Sequence, residues 1–126
     1  MGNRSSIAKN YLKFLQNGDI AQLLDLFSQD AIVDSPLYGI KKAADFYRDL
    51  QADTQNSELK LLGIFEEENR SDIALYFTYK WTLKTREIVS FDVVDVIEFN
   101  DSDKIKKLKI IYDTVLARTL VNQLKN

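Results

Sequence analysis

The stretch FDVVDVIEF, residues 91–99, decides the fold that this sequence predicts. Its β-branched and aromatic residues are typical of a strand. Because side chains alternate along a strand, one face carries Phe91, Val93, Asp95, Ile97 and Phe99. The other face is more polar, which indicates a wetter surface. The stretch therefore predicts a strand whose core-facing side holds four large apolar residues and one carboxylic acid.

Asp95 is a candidate functional group because of its apolar surroundings on this strand. A carboxylate is costly to bury unless it is paired or protonated. Desolvation raises the pKa of a buried carboxyl group and favours the neutral acid, which can donate a hydrogen bond to an oxyanion. The alternative is structural, with Asp95 paired to a buried Tyr, Lys or Arg. The strand pattern favours neither interpretation over the other.

The second half of the chain is predicted to form four strands, near residues 57–68, 71–84, 87–100 and 104–115. The connections between these strands are short and polar, which favours antiparallel hairpins. Within the second of them, large apolar side chains alternate with smaller or polar ones, as expected for a strand with one buried face. Residues 116–124 are predicted to form a short helix or a tail.

The first half of the chain is predicted to be mostly helical. Apolar residues recur at helical spacing over residues 5–16 and 40–52, and Asp19 caps a short helix between them. A short strand is predicted over residues 30–35, followed by a turn. Helices that precede a run of antiparallel strands pack on one face of the sheet, which is the α+β arrangement. A twisted, curved sheet around such helices forms a cone, and the mouth of the cone is a natural pocket for an apolar ligand.

The composition excludes several classes of function. The 126 residues suit one domain, residues 1–126, with a single core. A net charge of −2 argues against a nucleic-acid partner. Because the chain has neither Cys nor His, zinc sites with those ligands, Ser-His-Asp triads, Cys nucleophiles and disulfides are excluded. Acid–base chemistry must come from Asp, Glu, Tyr, Lys or water, and neither a metal nor another cofactor is expected.

The location expected for the protein is cytoplasmic. The first residues of the chain lack the apolar stretch of a signal peptide. No segment is long and apolar enough to span a bilayer, so no membrane partner is expected.

Several short motifs carry a family resemblance: NGDI at 17–20, FSQDAIVDSP at 27–36, FY at 46–47, FDVVDVIEF at 91–99 and IYD at 111–113. With the order of the predicted helices and strands, they make nearly the whole chain resemble the nuclear-transport-factor-2-like superfamily. Within it, the chain looks similar to ketosteroid isomerases and SnoaL-like polyketide cyclases. The resemblance implies a cone-shaped α+β fold, also called cystatin-like, in which a curved antiparallel sheet wraps around N-terminal helices. It also implies a homodimer.

The resemblance further implies an oxyanion hole. Ketosteroid isomerases use a Tyr of the first helix and a protonated Asp of a sheet strand to stabilise a developing dienolate. Tyr11 and Asp95 stand at these two positions in this chain. The structural alternative for Tyr11 is a core residue whose hydroxyl group is hydrogen-bonded.

The chain departs from the isomerase pattern at the position of the carboxylate that moves the proton. The isomerases have Asp directly before Pro, whereas Ser35 precedes Pro36 here and Asp34 lies one residue further back. A shift of one residue points a side chain to the opposite face of a strand unless a bulge restores it. Asp34 is therefore a candidate catalytic residue that needs such a bulge. Asp113 is the other candidate, because SnoaL-like cyclases use an Asp for acid–base catalysis.

The pocket implied by the resemblance binds a small hydrophobic molecule. The candidate lining residues are large, apolar and spaced to face the core: Phe14, Phe27, Phe46, Tyr47, Val93 and Ile97, with Tyr76, Tyr79 and Trp81 as further aromatic candidates. Two functions are consistent with such a pocket. One is a cofactor-free isomerase, cyclase or epoxide-hydrolase-like hydratase that uses Tyr and Asp for acid–base chemistry. The alternative is a non-catalytic module of the same fold that binds a small ligand or a protein.

Overall fold

The computed structural model describes residues 2–70 and 72–125, and the side chains of residues 4–70 and 72–124. Within these residues, four helices and six strands follow one another in the order α1 (Gly2–Asn17), α2 (Ile20–Leu24), β1 (Phe27–Ser35), β2 (Gly39–Lys42), α3 (Ala43–Asp53), β3 (Thr54–Glu66), β4 (Ile73–Leu83), β5 (Ile88–Phe99), β6 (Ile105–Ile111) and α4 (Val115–Lys125).

The six strands form one sheet in the order β2-β1-β6-β5-β4-β3. Neighbouring strands run antiparallel except β1 and β6, which are parallel. Strands β3, β4 and β5 are long, with 13, 11 and 12 residues, and long strands accumulate twist. Two register shifts in β3 each add one unpaired residue, and such bulges bend a strand. The sheet curves around α1 and α3, so the predicted cone-shaped α+β fold is confirmed.

The concave face of the sheet and the helices α1 and α3 enclose the core. On β4, every second residue over 73–83 is buried, and β5 shows the same pattern over 93–99. Asp95 lies opposite Leu75 on β4 and opposite Ile110 on β6. Residues that lie directly opposite each other share a face of the sheet. Asp95 therefore occupies the core-facing position that the alternation predicts, between two aliphatic neighbours.

The region after β1 differs from the prediction. Residues 39–42 form strand β2, an antiparallel partner of β1, where the sequence predicted a turn and the start of a helix. Gly39 has a φ angle of +82°, a left-handed conformation that glycine adopts without steric cost and that closes this hairpin. Since β2 has only four residues, its alternation is too short to be recognised in the sequence. Helix α3 accordingly begins at Ala43 rather than at residue 40.

The last strand is shorter than predicted. Strand β6 ends at Ile111 and helix α4 begins at Val115, where the sequence predicted a strand as far as residue 115. The carboxylate of Asp113 accepts a hydrogen bond of 3.1 Å from the N–H group of Val115. Such a turn provides an acceptor for one of the free N–H groups at the start of a helix. Asp113 therefore marks the change from strand to helix.

The convex face of the sheet, which faces away from α1 and α3, carries an apolar stripe. Tyr76, Val94 and Ile111 lie side by side across β4, β5 and β6. Ile111 is 49% exposed, and Phe65 on β3 is 59% exposed. Contiguous exposed apolar side chains of this kind are a feature of protein interfaces.

The homodimer stays a prediction, and this stripe is the surface on which to test it. We expect light scattering after size-exclusion chromatography to give twice the mass of one chain. Tyr76→Glu should lower the measured mass to that of one chain, because a buried, unpaired carboxylate is costly at an apolar interface. The mass of one chain for the unmodified protein would contradict the prediction.

No helix in the described part of the chain has the length and apolar character needed to cross a membrane. The cytoplasmic location stays a prediction.

Candidate functional site

A small apolar cavity lies between the concave face of the sheet and the helices α1 and α3. Its volume is about 40 Å³. The lining residues are mostly aromatic or aliphatic: Tyr11, Leu15, Ser35, Tyr38, Phe46, Leu50, Phe77, Tyr79, Trp81, Phe91, Val93, Asp95, Ile110 and Tyr112. Among these described residues, Asp95 is the single acid. The cavity therefore combines apolar, mainly aromatic walls with one carboxyl group.

The carboxyl group of Asp95 is buried and lacks a hydrogen-bond partner for one of its oxygen atoms in the described part of the chain. The residue is 1% exposed, and its Oδ1 atom has no hydrogen-bond partner in the described part of the chain. Burial raises the pKa of Asp95 well above its ordinary value, because desolvation penalises the charged form. A protonated carboxyl group in this place can donate its O–H to a molecule in the cavity.

Tyr11 and Tyr47 form a hydrogen-bonded pair beside the cavity. Their hydroxyl oxygens are 2.7 Å apart, and either one can be the donor. Burial is the main cause that raises the pKa of both phenols, and the neighbouring Asp95 adds to the shift. Both therefore stay protonated at neutral pH. When Tyr47 donates to Tyr11, the O–H of Tyr11 is left to donate into the cavity, which Tyr11 lines and Tyr47 does not.

Tyr38 holds a different part of the cavity wall through its own partners. Its hydroxyl group donates a 2.6 Å hydrogen bond to Asp53 Oδ2. Its backbone N–H, like that of Leu37, donates to Ser35 Oγ, at 3.0 and 3.1 Å. Burial, followed by the hydrogen bond to Asp53, raises the pKa of Tyr38. The turn after β1 is thereby fixed with the Tyr38 ring against the cavity.

A stacked aromatic pair forms a further part of the wall. The rings of Phe91 on β5 and Tyr112, just after β6, have centroids 4.4 Å apart and are nearly parallel. Burial raises the pKa of Tyr112 to about 12. These rings add apolar surface and no charge at neutral pH.

The structure does not bring Asp34 to the cavity. Along β1, Val33 and Ser35 are buried on the inner face and Asp34 points to the other face, half-buried. Ser35 is the residue that lines the cavity. The register shift of β1 lies between Phe27 and Ile32, and pairing is regular at Asp34. The bulge that Asp34 would need is therefore not at its position, and a base role for Asp34 has no support from this geometry.

Asp113 is also separate from the cavity. It is exposed, it lies after the end of β6, and its carboxylate is bonded to the backbone at the start of α4. No second Asp or Glu from the described residues lines the cavity beside Asp95. Nor do three acidic side chains come together anywhere in the described ranges to hold a metal ion.

The predicted lining residues are divided between the cavity and the core behind it. Phe46 and Val93 line the cavity, as do Tyr79 and Trp81. Phe27 and Tyr47 pack around the Tyr11 ring instead, with centroids 6.2 Å from it. Ile97 belongs to the core elsewhere, Phe14 is half-buried against that core, and Tyr76 lies on the convex face.

The sequence interpretation missed several lining residues. Phe77 and Phe91 were detectable, because they share the buried faces of β4 and β5 with Tyr79 and Val93. Tyr38, which lies in a turn, had no periodic signal in the sequence. Tyr112 lies beyond the end of β6, where a strand was predicted to continue.

Similar solved structures share this fold at low sequence identity. A nuclear-transport-factor-2-like protein of unknown function from Burkholderia pseudomallei has a TM-score of 0.83 and 17% identity over 95% of this chain and 98% of that one. AclR, a putative hydroxylase from Streptomyces galilaeus, has a TM-score of 0.78 and 17% identity over 100% and 85%. SalBIII, an epoxide hydrolase/cyclase-like enzyme of pyran ring formation in the polyether salinomycin, has a TM-score of 0.78 and 13% identity over 89% and 92%.

Sequence comparison identifies the family. No curated protein sequence matches the chain. The family model of the SnoaL-like domain matches residues 8–108, a range that begins within α1, ends within β6 and includes Asp95. The chain therefore belongs to the SnoaL-like domain family and has the nuclear-transport-factor-2-like fold.

Proposed function

We propose that the cavity binds a small, largely apolar molecule and that Asp95 donates a hydrogen bond to an oxygen atom of this molecule. The observation that carries the proposal is the Asp95 carboxyl group, 1% exposed with its Oδ1 unpartnered in the described residues. A buried polar group without a partner costs free energy, and a ligand oxygen would relieve this cost. Tyr11, held by Tyr47 at 2.7 Å, is the second donor.

The reaction that suits this site begins with proton donation by an acid rather than with proton removal by a base. Isomerisation next to a carbonyl group needs a carboxylate to remove a proton, and neither Asp34 nor Asp113 lines the cavity. Opening of an epoxide by a hydroxyl group of the same molecule needs a proton donor at the departing oxygen. We therefore favour a cofactor-free cyclase over an isomerase. The fold shared with SalBIII, an epoxide hydrolase/cyclase-like enzyme, supports this choice.

The proposed step uses Asp95 for both proton transfers. The hydroxyl oxygen of the ligand forms a bond to an epoxide carbon, and the C–O bond of the epoxide breaks. Asp95 gives its proton to the departing oxygen, and its carboxylate then takes the proton of the attacking hydroxyl group. Tyr11 stabilises the negative charge that develops on the departing oxygen.

Non-catalytic binding is the second candidate function. It is favoured by the narrowness of the cavity, about 40 Å³, and by the absence of a second carboxyl group from its described lining. In this case the same donors would select a ligand by its oxygen atom, with no bond made or broken.

The binding step, which both candidates share, can be tested with cyclohexenone and the matched hydrocarbon cyclohexene. We expect calorimetry or NMR titration to show preference for the ketone, because only the ketone accepts a hydrogen bond. Asp95→Leu should remove this preference, weakening ketone binding about five- to tenfold, the value of one hydrogen bond, and leaving cyclohexene binding unchanged. Asp95→Asn, which keeps the shape and a donor, is the matched control. Equal losses for both probes in Asp95→Leu, or no binding of either, would contradict the proposal.

A further inference from the structure

A polar cleft adjoins the apolar cavity. It has a volume of about 330 Å³ and lies where the C-terminal ends of α1 and α3 meet the beginning of β3. Leu15, Leu50 and Tyr79 line both the cleft and the cavity. The two spaces are therefore neighbours that share these three residues in their walls.

The sizes of the two spaces suggest that they are used together. Pockets for organic ligands commonly measure about 300–1,000 Å³. The cavity at Asp95, with about 40 Å³, lies far below this range, whereas the cleft, with about 330 Å³, lies within it. A ligand that places only its reactive oxygen and its apolar end near Asp95 would need the cleft for the rest of its length.

Tyr79 links the two spaces chemically. Its hydroxyl oxygen lies 2.8 Å from Ser57 Oγ, and Ser57 lines the cleft. Its ring lies against Phe91 and Trp81, which line the cavity, with centroid distances of 5.5 and 6.2 Å. The polar end of Tyr79 thus belongs to the cleft and its apolar part to the cavity.

The cleft differs from the cavity in the groups that it offers. Its wall is rich in side-chain amides, from Gln16, Asn17, Gln51, Gln55 and Asn56, and an amide both donates and accepts hydrogen bonds. Lys84 is the single charged side chain among the described residues of the wall. Its ammonium group has no ion pair with the described side chains, those of residues 4–70 and 72–124. The cleft therefore suits a polar group with negative charge.

We infer that the cleft is the second half of the ligand site and that it binds the carboxylate end of an elongated molecule. The apolar end of this molecule, with its acceptor oxygen, lies in the cavity at Asp95. The inference rests on the proposed function and adds the ligand class, an amphipathic carboxylic acid. Lys84 pairs with the carboxylate, and the amides supply further hydrogen bonds.

The test uses phenylacetate, phenylbutyrate and phenylhexanoate, together with their methyl esters, in titrations of the whole protein. We expect affinity to rise with chain length as the carboxylate reaches the cleft, and the longest acid to bind more tightly than its ester. Lys84→Gln should weaken binding of the longest acid about two- to fivefold, the effect of one exposed ion pair, and leave its ester unchanged. Lys106→Gln is the matched control, since Lys106 is an exposed lysine on β6 outside the wall of the cleft.

Competition with cyclohexenone distinguishes this inference from the proposed function. The longest acid should displace cyclohexenone, since both occupy the cavity. If cyclohexenone binds as expected but acids and esters bind equally, with no effect of Lys84→Gln, the cleft is not part of the site and the proposed function stands. If the acids bind through Lys84 without displacing cyclohexenone, the inference that the cleft and the cavity form one ligand site is overturned. If neither class of probe binds, both the proposed function and the inference fall.

Discussion

Asp95→Asn is expected to lower kcat for cyclisation of an epoxy alcohol at least about a hundredfold, the usual contribution of a general acid. The asparagine amide has nearly the same shape as the neutral acid and still donates a hydrogen bond, but it cannot transfer a proton. Since Asp95 is the single acid among the described residues that line the cavity, no neighbouring carboxyl group can replace it. KM should change little, because the contacts with the bound substrate are kept.

Two other Asp→Asn changes are the matched controls for this measurement. Asp34 faces away from the cavity on β1, and Asp113 is bonded to the backbone at the start of α4. Asp34→Asn and Asp113→Asn should therefore keep kcat within about twofold, since neither carboxyl group reaches a bound substrate. If Asp34→Asn lowered kcat as much as Asp95→Asn does, the mechanism in which Asp95 is the general acid would be contradicted. Full activity of Asp95→Asn would overturn the role of Asp95 as the proton donor, whereas no cyclisation by the unmodified protein would leave non-catalytic binding as the function.

The same substitution is expected to change how stability depends on pH. The pKa of Asp95 is raised by burial in the folded protein, whereas an unfolded Asp has a pKa of about 3.9. Between these two values the folded state binds more protons than the unfolded state. The free energy of unfolding therefore falls by about 1.4 kcal/mol for each pH unit in this interval, and the fall ends above the folded pKa. The stabilisation is thus complete at low pH and is lost as pH rises.

Asp95→Asn removes this dependence because the amide does not titrate. Urea unfolding curves recorded from about pH 4 to about pH 8 should show the stability of Asp95→Asn gaining on that of the unmodified protein as pH rises. Asp34→Asn, with its side chain on the outer face of β1, is again the control and should follow the unmodified protein. A difference between Asp95→Asn and the unmodified protein that stays constant over this range would mean that Asp95 titrates normally in the fold.

The sequence was sufficient to predict the long strands and the buried position of Asp95. Alternation over residues 91–99 placed Asp95 on the buried face, since a long strand repeats its pattern several times. The sequence was insufficient to predict β2, because four residues are too few to show an alternation of apolar and polar side chains. It also left Asp34 undecided, because a bulge near Pro36 depends on the pairing of β1 with its neighbours and not on the residues of β1 alone.

The boundaries of the cavity were harder to predict than the residues of the core. Ile97 and Val93 have the same spacing on β5 and are equally apolar, yet only Val93 borders empty space. Which buried side chains meet a neighbour and which meet a gap is decided by packing between distant elements. Tyr38 illustrates this most clearly, since it enters the cavity wall from a turn through its bond to Asp53.

Strand β3 lies at an edge of the sheet, and this position affects the risk of aggregation. An edge strand of 13 residues presents a row of free backbone groups that could recruit strands from other molecules and start aggregation. Here Gln16 of α1 accepts the N–H of Leu59 through its side chain, at 2.7 Å, and the two bulges interrupt the regular edge. Charged side chains at Glu58 and Lys60 keep the same strand hydrated, and charged residues on an edge disfavour pairing with further strands. The chain thus protects its own edge against amyloid-like growth, and the helix that carries Tyr11 contributes to this protection.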